Sequence, residues 1–181
     1  MSDAAPNSDT TAAPRPSLRA DSAARRNARY AQTFANIIAV LMRDPGFRNL
    51  RLSDLEWLVL PAIISGQWKL VQTREQKPGT KGPEGELVVP SAVALWASVS
   101  PEVDKRLMEN LDKPLVLQSH EWLSGDILWL VVAAGDKRIV PRFLTQLADT
   151  EFKGKKVKAR TNGPDGKVVV RTLRPQAREQ A

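Results

Sequence analysis

Apolar positions recur along residues 30–41 at the spacing of one helical face. Tyr30, Phe34, Ile37, Ile38 and Leu41 follow i, i+4, i+7, i+8, i+11, the stripe of an amphipathic helix. Pro45 restricts the residue before it and Gly46 follows, so this helix is expected to stop at Asp44. Ser53 with Glu56 three residues on reads as a capping box. The helix it opens runs through Leu55, Leu58 and Val59, and Pro61 inside it predicts a kink or a shortening. Gly66 is a natural stop.

The period then changes from helical to alternating. Residues 67–74 alternate as a strand with one face more apolar. Residues 76–86 are rich in glycine and proline and form a long hairpin-type connection. Residues 87–99 return as a strand, in which Pro90 marks an edge or a bulge. Ser100, Pro101 and Glu102 are an N-cap, a first-turn proline and an acid near the positive helix end. They open a short helix bearing Val103, Leu107 and Leu111. After a Ser124-Gly125-Asp126 turn, residues 127–134 are apolar on both faces, the mark of a central strand. A helix over 137–152 presents Ile139, Phe143, Leu144 and Leu147. Strands over 157–161 and 167–172 flank a turn made of Asn162, Gly163, Pro164, Asp165 and Gly166. The order predicts one α/β (α+β) domain over residues 25–174, with a mostly antiparallel sheet covered by helices. Residues 1–24 hold almost no large apolar side chains and are expected to form a disordered tail; 175–181 are expected to fray.

Composition narrows the function classes. There is no cysteine and one histidine, which excludes disulfides and Cys- or His-rich metal sites, and no EF-hand-like acidic loop is present. No apolar run approaches the ~20 residues that span a membrane, and no signal design opens the chain. These features point to a soluble, cytoplasmic protein without a membrane partner. Lys+Arg outnumber Asp+Glu by 27 to 20, which favours acidic partners or simply solubility. A homodimer is compatible with the sequence, which fixes no oligomeric state.

A set of short motifs carries a resemblance. Pro45-x-x-Arg48-Asn49 is followed by Leu60-Pro61-Ala62-Ile63; then come Gln67-Trp68, Thr73-Arg74, Trp96-Ala97-x-x-Ser100, Trp122-x-Ser124-Gly125-Asp126-x-x-Trp129 and Gly135-Asp136. In order and spacing, over roughly residues 34–170, the set resembles the RTX toxin-activating lysine acyltransferases. The resemblance implies a GNAT-like domain without a bound cofactor. It implies a fatty acyl chain taken from acyl-carrier protein and attached to internal lysines of an RTX-type protein. The basic surface would then meet an acidic carrier. By the same resemblance, Arg48, Asn49, Ser124, Gly125, Asp126 and Trp129 are candidate substrate- or partner-binding residues, and Arg160 of the basic run joins them as a partner-binding candidate. Arg48 and Asn49 suit either an anion or carbonyl site or the capping of a turn, and Asp126 and Asp136 read as turn residues. The five tryptophans read as core or groove wall.

Amide formation on lysine needs a base for the ammonium proton and stabilisation of an oxyanion. The family pattern supplies a histidine just before the Arg-Asn pair and an aspartate in the strand after the Ser-Gly-Asp turn. Here those positions fall on Phe47 and on Val132, and neither can carry a proton. His120 is the one histidine left as a substitute. Three functions follow: a scaffold that binds its partners but transfers weakly or not at all, an active transferase using other residues, and a basic nucleic-acid binder. The last rests on Lys153, Lys155, Lys156, Lys158 and Arg160. No nucleic-acid-binding motif accompanies that cluster, so the first is the expected one.

Overall fold

The computed structural model describes residues 18–80 and 82–173. Five strands form one mixed sheet in the order β1 (Trp68–Gln76), β2 (Glu86–Val99), β3 (Ile127–Gly135), β4 (Val157–Asn162) and β5 (Val168–Leu173). The β1–β2, β2–β3 and β4–β5 pairs are antiparallel, and β3–β4 is parallel. The parallel pair needs a crossover, which α5 (Val140–Asp149) supplies. The α/β class and the central place of β3 therefore agree with the sequence reading.

Helices cover both faces. On one, α1 (Leu18–Arg43), α2 (Asp54–Leu58), α3 (Leu60–Ser65) and α4 (Pro101–Glu109) close a cluster that includes Ile37, Val59, Val93, Leu95, Trp122 and Trp129. On the other, Phe143 and Leu147 of α5 cover Ala92, Trp96, Leu128 and Leu130. Trp96 meets Phe152 edge-on there, with ring centroids 5.1 Å apart. Trp57 and Trp68 are half-buried against the first cluster, each leaving part of its ring at the surface.

Several local expectations needed correction. Helix α1 starts at Leu18, so residues 18–24 of the expected tail are helical, favoured by Ala20, Ala23, Ala24 and Arg25; residues 1–17 and 174–181 lie outside the described residues. Ser53 makes no capping bond. Asp54, the first helical residue, instead reaches back, its Oδ2 accepting the Arg51 N–H of the preceding turn at 2.7 Å. The second helix breaks in two at Val59, where Pro61 starts a new first turn. Helix α4 ends at Glu109, leaving Leu111 beyond it. Helix α5 is shorter than read, because Pro141 lies in its first turn.

Glu121 ties the loop before β3 to α4. Arg106 donates to both its carboxylate oxygens, at 2.6 and 2.7 Å, and the Gln118 N–H donates to Oε2 at 2.7 Å. The Arg106 guanidinium, with the Gln118 amide behind it, holds the Glu121 carboxyl below its ordinary value against the opposing effect of burial. A depressed carboxyl contributes stability above its unfolded pKa and loses it as pH falls through the folded value. Acid titration of unfolding should therefore show a loss below about pH 4.5, which Glu121→Gln flattens. Because Arg106 is half exposed, the variant should cost only about 1–2 kcal/mol at neutral pH in urea unfolding.

Candidate functional site

The end of α1 is fixed to the end of β3 by one carboxylate. Asp44 has extended backbone, and its Oδ1 accepts the Gly46 N–H at 2.9 Å, capping the 3-10 turn Pro45–Phe47. Its Oδ2 accepts the Gly135 N–H at 3.0 Å. Sequence reasoning missed this joint. Its signal was present, since an aspartate directly before Pro-Gly is a ready N-cap.

Phe47 closes that turn and packs half-buried against the cluster under α1. Val132 lies in the same cluster and is 1% exposed. It faces that way because the β2–β3 register slips between Leu95–Val132 and Trp96–Leu130, leaving Val131 as an extra residue. Phe47 and Val132, the positions that the resemblance sets against a titratable pair, are thus on one side of the sheet, and both contribute apolar surface to one cluster. Asp44 is the carboxylate nearest Phe47 in sequence, and each of its oxygens already accepts a backbone N–H.

Beside Phe47 runs an apolar trough of about 580 Å³ between α1 and residues 47–55. Ile38, Leu41 and Met42 form its α1 wall, and Phe47, Leu50, Leu52 and Leu55 face them. Met42 is 70% and Leu52 87% exposed, an unusual outlay of apolar surface on a helical edge. Arg48 and Arg51 add positive charge to the lining. Arg48 and Asn49 are exposed, and their side chains have no hydrogen-bond or ion-pair partner among the described residues. The Pro45–Phe47 turn takes its cap from Asp44 instead.

The Ser-Gly-Asp turn lies at the surface and is tied down to the scaffold. Ser124 Oγ accepts the Ser100 N–H at 2.8 Å and donates to Glu121 O at 2.9 Å. Gly125 presses on β2, where a Cβ would stand 2.5 Å from Val99 O, so no larger residue fits. Asp126 is exposed. Trp129 is fully buried and donates its Nε1–H to Asp104 at 2.8 Å, so it offers no face to a partner. Asp136 accepts the Arg138 N–H and pairs with its guanidinium, which holds the carboxyl at about 2. His120 is exposed on the 3-10 turn Ser119–Glu121 and does not line the trough.

The basic run of residues 153–160 divides. Lys153, Lys155 and Lys156 are exposed. Lys158 turns inward to Asp104, with Nζ–O distances of 2.7 and 2.8 Å. Arg160 clamps two backbone carbonyls, Lys113 O at 2.7 Å and Leu107 O at 2.6 Å, and burial lowers its pKa. The expected partner-facing role of Arg160 therefore gives way to a structural one, and the run is not a single free cationic face.

The site can hold an apolar chain next to positive charge, and it offers no group at Phe47 or Val132 to accept a proton. No helix among the described residues is long and apolar enough to cross a membrane. A comparison with curated proteins gave no match. The model of the RTX toxin acyltransferase family matches residues 26–175, which takes in most of α1, the trough, the Ser-Gly-Asp turn and the whole sheet. The chain belongs to the RTX toxin acyltransferase family.

Proposed function

We propose that the chain takes the fatty chain of an acyl-carrier protein into the trough beside Phe47, holds an RTX-type protein against it, and transfers the acyl group to lysine poorly or not at all. One observation carries this reading: Phe47, which the resemblance sets against the family's histidine, lines an apolar trough. An apolar wall there suits an acyl chain and cannot deprotonate an ammonium. Arg48 and Arg51 suit an acidic carrier, since complementary charge speeds encounter. A GNAT-like frame and a cytoplasmic setting belong to the same reading.

Binding of loaded and unloaded acyl-carrier protein tests it. The loaded carrier should bind more tightly, and the double variant Met42→Ser with Leu52→Ser should remove most of that difference. Losing two apolar contacts corresponds to about tenfold or more in affinity. Both side chains are largely exposed, so folding should survive. Equal affinity for loaded and unloaded carrier, or an unchanged double variant, would contradict the trough as the acyl site.

A further inference from the structure

A second recess lies where α1 passes the start of β1. Arg26, Arg29, Tyr30 and Thr33 follow i, i+3, i+4, i+7 on one face of α1, and Trp68 opens β1 beside them. Together they line a cavity of about 250 Å³ that shares no residue with the trough. Among the described residues, none of these five side chains has a hydrogen-bond, ion-pair or ring partner. No carboxylate lines the recess, and Tyr30 is 51% exposed.

Its chemistry is one-sided. Two guanidiniums supply fixed charge and paired donors in the geometry that phosphate oxygens accept. The phenol and the indole supply π-faces on which a base stacks. Arginines alone would take any anion. Two unpaired rings in the same recess select an anion joined to a planar group. The volume suits one such unit, not a run of stacked bases.

We propose that this recess binds a nucleoside phosphate, its base against Tyr30 and Trp68 and its phosphate on Arg26 and Arg29. A free nucleotide and one unit of a single strand offer the same chemistry, and the test separates them. The full chain is titrated with ADP, with inorganic phosphate and with oligothymidylate at fixed ionic strength, by calorimetry and by tryptophan fluorescence, the Trp68→Phe variant isolating the share of Trp68 among the five tryptophans. Saturable ADP binding is expected, weakened about tenfold or more by Arg26→Gln with Arg29→Gln, and also weakened by Tyr30→Ala. Oligothymidylate binding that exceeds ADP binding and needs the same arginines assigns the site to a strand; the reverse order assigns it to a free nucleotide. Phosphate binding as tightly as ADP, no saturable binding of either nucleotide probe, or affinity unchanged in the arginine variant overturns the proposal.

Discussion

Val132→Asp, which places an aspartate where the resemblance expects one, should destabilise this protein by roughly 3–5 kcal/mol at neutral pH. Val132 is 1% exposed in a cluster with Ile37, Val93 and Leu95. A carboxylate there would lose its water and gain no cation in return. Burial would raise its pKa above the unfolded value. A raised carboxyl pKa makes the penalty small below about pH 4 and lets it grow as pH rises from there toward the folded value. Urea unfolding at pH 4 and pH 7 should therefore show a smaller loss at the lower pH. Phe47→His changes a half-buried ring and should cost less. A Val132→Asp protein as stable as the parent at pH 7 would mean that this position opens to water, contrary to the packing described.

Asp104→Ala is the second large effect. This carboxylate accepts the Trp129 indole N–H at 2.8 Å and the Lys158 ammonium at 2.7 and 2.8 Å. It joins α4 to the parallel β3–β4 pair, in which Trp129 and Lys158 are direct register partners. Side-chain exposure is 16% for Asp104 and 28% for Lys158, so solvent screens the pair only partly. Removal strands both an indole donor and an ammonium, and about 3 kcal/mol should be lost. Lys158→Met should lose less, because Asp104 keeps the indole bond. A urea-unfolding cycle over the two single variants and the double variant measures the coupling. A loss under about 0.5 kcal/mol for Asp104→Ala would place it with ordinary surface acids.

Sequence patterning located most elements because local chemistry and global fold agree in them. Pro61 broke its helix, Ser100 capped α4 with its Oγ 3.4 Å from the Val103 N–H, and residues 162–166 turned between β4 and β5. What stayed hidden depends on tertiary contact. The bulge at Val131 sits in a run that is apolar on both faces, so no alternation marks the slip. Ser53 suits a cap by residue type, yet its side chain makes no capping bond, and the Asp54 carboxylate ties the preceding turn at Arg51 instead. Trp129 and Arg160 look the same in sequence whether they face a partner or the interior. The trough was illegible for a similar reason: Met42 and Leu52 read as ordinary helix and loop residues until residues 47–55 fold across α1. Phe47 and Val132 stand out in the sequence only through the family resemblance, and the structure adds that both pack into one cluster.

The most direct measurement is intact-mass analysis of an RTX-type protein incubated with loaded acyl-carrier protein, with and without this chain. Without a base the transfer rate should fall by about 10²- to 10⁴-fold, so no acyl increment is predicted on any lysine within a normal assay. Near-complete lysine acylation within the same assay, formed only when this chain is present, would contradict the account.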